Sequence, residues 1–163
     1  MRTQHMNSLL HQHTESIVSA AIHAVLPDVA VVRALQGYRF GTGKIVLVAA
    51  GKAAWQMANA ASDCLGDRVA DGVVVTKYGH IKGPIAHIRC FEGGHPVPDE
   101  NSYRATARAL ELVSGLTEND TVVFLLSGGG SALFESPLIP PEEMADVTKQ
   151  LLACGADIVE MNT

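Results

Sequence analysis

The eleven residues KIVLVAAGKAA, positions 44–54, decide how this chain reads. Ile45 to Ala50 is an apolar run of strand length with no polar alternation. Such a run belongs to a strand buried on both faces, as in a parallel sheet covered by helices. Gly51 breaks it, and the alanine-rich stretch from Lys52 to about Leu65 suits a helix.

Working outward, the same grammar repeats. Gly72 to Thr76 (GVVVT) reads as a second strand and Ala86 to Phe91 as a third, weaker one. Ser102 to Leu116 is helical, with apolar residues at Ala105, Ala109, Leu112 and Val113. Asp120 to Leu126 is a strong, buried strand that ends in Ser127-Gly128-Gly129-Gly130-Ser131. Pro141-Glu142-Glu143 opens a further helix, because proline suits the first turn and carboxylates suit the positive end of the dipole. That helix runs to about Ala153, with Gly155 as its stop. Upstream, Leu9, Leu10, Ile17, Val18, Ala21, Ile22 and Val25 recur at helical spacing. Pro27 interrupts them, so one helix to about Val25 and a shorter one through Val31 and Leu35 are expected. Gly37 to Gly43 is a turn. Strands alternating with helices give an α/β fold, a mostly parallel sheet with helices on both faces. Ligands of such sheets sit beyond the C-terminal ends of the strands.

Composition narrows the function. The 163 residues are 47% hydrophobic and 18% charged, enough apolar matter for a real core and too much for a disordered chain. Twelve Lys plus Arg against seventeen Asp plus Glu leave −5, which argues against a nucleic-acid binder. No apolar stretch approaches the roughly 20 residues of a membrane span, and the N-terminus lacks a secretory pattern. Cys64, Cys90 and Cys154 have no CxxC spacing, and buried thiols in a reducing cytoplasm are the expectation. His11 and His13 have no cluster around them and read as solvated helix residues, so no metal site is expected.

Three loops carry chemistry. In Gly51-Lys52 a glycine lets backbone approach a ligand, and a lysine stands where a helix dipole would repel it unless an anion is present. Ser127-Gly128-Gly129-Gly130-Ser131 follows a strand with three costly glycines, a pattern suited to an anion nest of successive N–H groups. Glu92-Gly93-Gly94-His95-Pro96-Val97-Pro98-Asp99 is a rigid loop in which Glu92, His95 and Asp99 could bind or carry protons. Asp99 equally suits the turn itself, with Asn101 or Ser102 capping the next helix. Lys77-Tyr78-Gly79-His80 is a weaker signal on the same edge, and an exposed turn is the favoured reading there. Neither a P-loop nor a hydrolase nucleophile elbow fits the spacings.

Together, AAGKAAWQMA at 49–58, EGGHPVPDENS at 92–102, LLSGGGSAL at 125–133 and GADIVEMNT at 155–163 resemble the class II glycerate kinases. Many members of that glycerate 2-kinase family carry an older label of hydroxypyruvate reductase. The resemblance implies a Rossmann-like N-terminal domain, cytoplasmic, transferring phosphoryl from ATP with Mg²⁺ to the 2-hydroxyl of D-glycerate. By the same resemblance Lys52 is the catalytic lysine. Gly51, Glu92, His95, Ser127, Gly128, Gly129, Gly130 and Ser131 are then the residues expected to bind substrate or nucleotide.

By the resemblance, the family continues past the position of Thr163 into a basic, His-containing segment, more sheet and a second domain, and its active-site arginine and aspartate lie in that further part. Residues 1–163 are therefore expected to form a truncated N-terminal domain, with an open sheet edge that favours self-association or a partner. Two other readings compete with the kinase. An NAD(P)H-dependent hydroxypyruvate reductase needs a GxGxxG after a strand, whereas Gly41-Thr42-Gly43 precedes one. A non-catalytic anion-binding fragment would keep the loops and lack half the site.

Overall fold

The computed structural model describes residues 2–161. Four strands, β1 (Ile45–Ala50), β2 (Val69–Lys77), β3 (Ile88–Gly93) and β4 (Thr121–Leu126), form one sheet in the order β3-β2-β1-β4. All three pairings are parallel. The helices are α1 (Arg2–Ala24), α2 (Pro27–Gln36), α3 (Ala54–Leu65), α4 (Glu100–Val113), α5 (Gly130–Leu133), α6 (Pro141–Ala153) and α7 (Ile158–Met161).

The deciding stretch is the centre of the molecule. Every residue of β1 is buried. Its odd-numbered residues Ile45, Leu47 and Ala49 pack with Val31 of α2 and with Ala54, Ala58, Ala61 and Leu65 of α3. Val46 and Val48 turn the other way, against Val73 and Ala109 of α4. Small alanines at the helix contacts let both helices lie close to the sheet, so β1 loses water on every side. An unbroken apolar strand is what that position requires.

The break at Pro27 falls where it is expected, between α1 and α2, and the proline opens α2 in its first turn, where its missing N–H would have no partner anyway. Other boundaries differ from the sequence reading. The third strand starts two residues late, because Ile88 N–H bonds the Ile85 carbonyl and His87 takes a left-handed φ of 62°. The helix expected from Ser102 starts earlier: Asp99 is its N-cap, in a reciprocal capping box with Ser102. The short helix α5 lies inside what reads as a loop.

Burial corrects two expectations, for β4 and for the cysteines, and shows where α1 lies. The apolar residues of α1 form a helix but cover nothing, for Leu9, Leu10, Ile17, Val18 and Ile22 are exposed. Likewise β4 is not buried throughout; it lies at the sheet edge, and Val122, Phe124 and Leu126 are exposed on one face. Of the cysteines, Cys64 and Cys154 are exposed and only Cys90 is half-buried, its thiol pKa pushed up by that burial. Among the described residues no single helix is long and apolar enough to cross a membrane; a bent pair, Asn7–Ala24 with Pro27–Gln36, passes on length and composition only.

Candidate active site

The strand ends bring two loops into direct contact. Ser127 N–H donates to the Ala50 carbonyl (2.9 Å), and Lys52 N–H donates to the Gly128 carbonyl (2.9 Å). The Ser127 hydroxyl accepts from Ala53 N–H (3.0 Å) and donates to the Ala50 carbonyl (3.3 Å). A β-carbon on Gly51 would collide with the Ser127 hydroxyl and carbonyl, and the Gly51 φ of +116° is one that side chains rarely adopt. Gly51 is glycine because the two loops press together there. Ser127 is expected from sequence to touch a ligand, yet its hydroxyl is committed to joining the loops.

Lys52 stands ahead of α3, whose N-cap, Ala53, offers no side-chain acceptor. Its side chain is exposed and passes over the glycine loop. A β-carbon on Gly129 would lie 3.2 Å from Lys52 Cε and 2.7 Å from His95 Nε2. Gly129 also has φ +83°. A residue with a side chain would thus be strained and would displace both the lysine stem and the imidazole. The N–H groups of Gly128, Gly129 and Gly130 meet no hydrogen-bond acceptor among the described residues. The lysine stem and the imidazole thus meet over Gly129, in a loop whose glycine N–H groups are unpaired among the described residues. Ser131, the last residue of that loop, is exposed in the first turn of α5.

His95 lies in a loop with a cis peptide bond to Pro96. Its pKa is held below the usual histidine value, first by burial and then by the charges of Lys52 and Lys77. The imidazole is consequently neutral at pH 7, with a lone pair available beside the lysine.

Glu92 lies apart from this convergence in what it does. Its Oε1 accepts from His80 N–H and Ile81 N–H, both at 3.0 Å, and so fixes the loop between β2 and β3. Asp99 accepts from Ser102 N–H (3.1 Å) and from the Tyr78 hydroxyl (2.7 Å). Burial pushes its carboxyl up, but the bonds from Tyr78, Ser102 and Gly94 outweigh that and hold it below the usual aspartate value.

Near Lys52, Thr76 escapes a reading by motif, whereas Lys77 belongs to the weaker Lys77-to-His80 signal. Thr76 is fully buried at the end of a valine run, and Lys77 follows it. The signal was there: a hydroxyl and an ammonium closing an otherwise apolar strand. Among the described residues, no group of three or more His, Cys, Asp or Glu side chains could hold a metal. Gly41 and Gly43 lie at the opposite, N-terminal end of the strands. There Gly43 N–H donates to the Asn119 carbonyl (2.9 Å), far from any role in cradling a dinucleotide.

Comparison with known proteins gives the chain a family. A family described as "Domain of unknown function (DUF4147)" matches residues 13–163. The D-glycerate 2-kinase of Thermotoga maritima is 54% identical over 149 residues, covering 90% of this chain and 35% of that protein. The glycerate 2-kinase of Pyrococcus horikoshii is 44% identical over 159 residues, covering 90% of this chain and 36% of that protein. The crystal structure of the Thermotoga maritima glycerate kinase superposes with a TM-score of 0.86 at 52% identity, covering 95% of this chain and 37% of that one. The chain thus spans about a third of the length of these relatives. With the family match covering nearly all of it, the chain belongs to the DUF4147 family, and the relatives it matches are named as glycerate kinases.

Proposed function

We propose that this chain supplies one wall of an ATP-dependent D-glycerate 2-kinase, which moves the terminal phosphoryl group of ATP to the 2-hydroxyl of D-glycerate. The observation that carries this reading is the convergence of Lys52, His95 and the free N–H groups around Gly129 at the strand ends. Phosphoryl transfer asks little covalent chemistry of the protein and a great deal of positioning and charge stabilisation.

In this reading the Gly128–Gly130 amides and the Lys52 ammonium fit an anionic phosphate chain, and Lys52 offsets negative charge as the phosphoryl group departs. ATP, when bound, supplies that group. His95, neutral beside Lys52, accepts the proton that the attacking hydroxyl gives up. The described carboxylates do not gather into a magnesium site, so no step is assigned through that ion. The other wall belongs to the part of the relatives that this chain does not span.

The test joins residues 1–163 to the remainder of the Thermotoga maritima enzyme and follows ADP release with D-glycerate. The fusion is expected to turn over, the fusion with Lys52→Ala to fall by about 10²–10³, and the 163-residue chain alone to stay near background. NADH oxidation with hydroxypyruvate is the control for reductase activity and should be absent. A folded fusion without ADP release would overturn the proposal.

A further inference from the structure

We infer that His80 is a positioning residue for Lys52, acting through the lysine's main chain. This rests on the reading of Lys52 as the anion-facing cation.

Lys52 precedes the helix, so no helical ladder fixes its peptide. Three other elements do. Its N–H donates to Gly128 O (2.9 Å), from the loop after β4. Its carbonyl lies 2.9 Å from His80 Nδ1, in the loop after β2. The same carbonyl accepts, at a longer 3.4 Å, from the hydroxyl of buried Thr76. A carbonyl can only accept, so His80 Nδ1 carries the proton and Nε2 is bare in the neutral ring.

His80 is itself held. Its backbone N–H and that of Ile81 donate to Glu92 Oε1. Further along, Trp55 Nε1–H donates to the Gly83 carbonyl (2.8 Å) and pins the loop to α3. The chain of dependence runs from Glu92 through His80 to Lys52. A long, exposed side chain reaches a fixed place over Gly129 only if its own backbone is fixed, and small misplacements in such sites are expensive. Glu92, a candidate ligand in sequence, and His80, part of what reads as an exposed turn, act here as supports two steps and one step from the lysine.

The experiment uses the ¹⁵N,¹³C-labelled 163-residue chain and inorganic phosphate as the probe. Long-range ¹H–¹⁵N correlation of the histidine rings should show the neutral His80 ring protonated at Nδ1 and bare at Nε2. Phosphate binding, followed at the Lys52 Cε signal, should weaken about 3- to 10-fold in His80→Ala, the loss of one hydrogen bond. His80→Asn, whose amide N–H can replace Nδ1–H, should stay within about twofold of the parent by the same measure. An Nε2-protonated ring in the parent chain would overturn the inference even if His80→Ala fails to fold. So would Ala and Asn variants that bind phosphate equally. A chain with Nδ1–H at His80 but no phosphate response at Lys52 would overturn the anion-site reading while leaving the hydrogen bond in place.

Discussion

The amide of Lys52 donates to the carbonyl of Gly128 across 2.9 Å, and this one bond joins the loop after the central strand to the loop after its neighbour. Parallel pairing of β1 with β4, in register from Ile45↔Thr121 to Ala50↔Leu126, brings the two loops level. The lysine and the glycines therefore lie side by side although 76 residues separate Lys52 from Gly128 in sequence.

Gly129 is the position at which this site is most easily closed. Gly129→Val introduces a β-branched residue at φ +83° and places its Cβ against His95 and the Lys52 stem. The backbone strain should cost about 1–3 kcal/mol of stability, read as a lower urea midpoint. Phosphate binding should be lost even at temperatures where the variant is fully folded. Unchanged affinity in the folded variant would separate Gly129 from the site.

His95 predicts a pH dependence of definite sign. Burial and the charges of Lys52 and Lys77 keep its folded pKa below the ordinary value of about 6.5. As pH falls through that depressed pKa, the ring gains a charge beside Lys52. Sulfate, whose own charge does not change in this range, should then bind more tightly. His95→Gln should abolish the acid-side gain and leave affinity at pH 7 within about twofold, since the neutral ring adds no charge there. A rise that persists in His95→Gln would place the titrating group elsewhere.

Asp99 ties the rigid loop to α4, and its carboxyl titrates below the usual aspartate value. The unfolded chain, at about 3.9, takes up this proton first as pH falls. The stabilisation is present in full above about pH 4 and is lost as pH drops through the lower folded value. Asp99→Asn keeps an N-capping side chain, so its urea midpoint should fall less steeply in acid. Asp99→Ala should cost about 1 kcal/mol at pH 7 through the lost cap. Parallel acid profiles for the parent and the Asn variant would contradict the assignment.

Legibility in the sequence followed the physics of each element. The β1 run was readable because burial on both faces leaves no polar residue to confuse the period, and Gly51 and the triple glycine stood out at strand ends. Strand β4 looked equally buried, since Val122, Phe124 and Leu126 are as apolar as β1. Edge position is a property of the sheet order, which composition does not carry. The helical period of α1 was clear for the same reason, and the absence of anything packed on it was not. Within the site, Lys52 and Gly129 were legible as residues whose types make no sense in a plain turn. Ser127 and Glu92 were legible as polar groups near a cleft, but their hydroxyl and carboxylate are spent on backbone partners. Hydrogen bonds between positions 12 or 74 residues apart leave no local pattern to read.

If Lys52 and the glycine loop form a single anion site, a phosphate titration of the labelled chain will show both responding together. Signals of the Gly128, Gly129 and Gly130 amides and of Lys52 Cε should follow one binding curve, with a dissociation constant in the millimolar range, about −4 kcal/mol. Lys52→Ala should leave the fold intact and weaken that curve by about 1.5–3 kcal/mol, the worth of a charge-assisted hydrogen bond. Separate curves for the lysine and the loop, or a loop response that Lys52→Ala leaves unchanged, would contradict it.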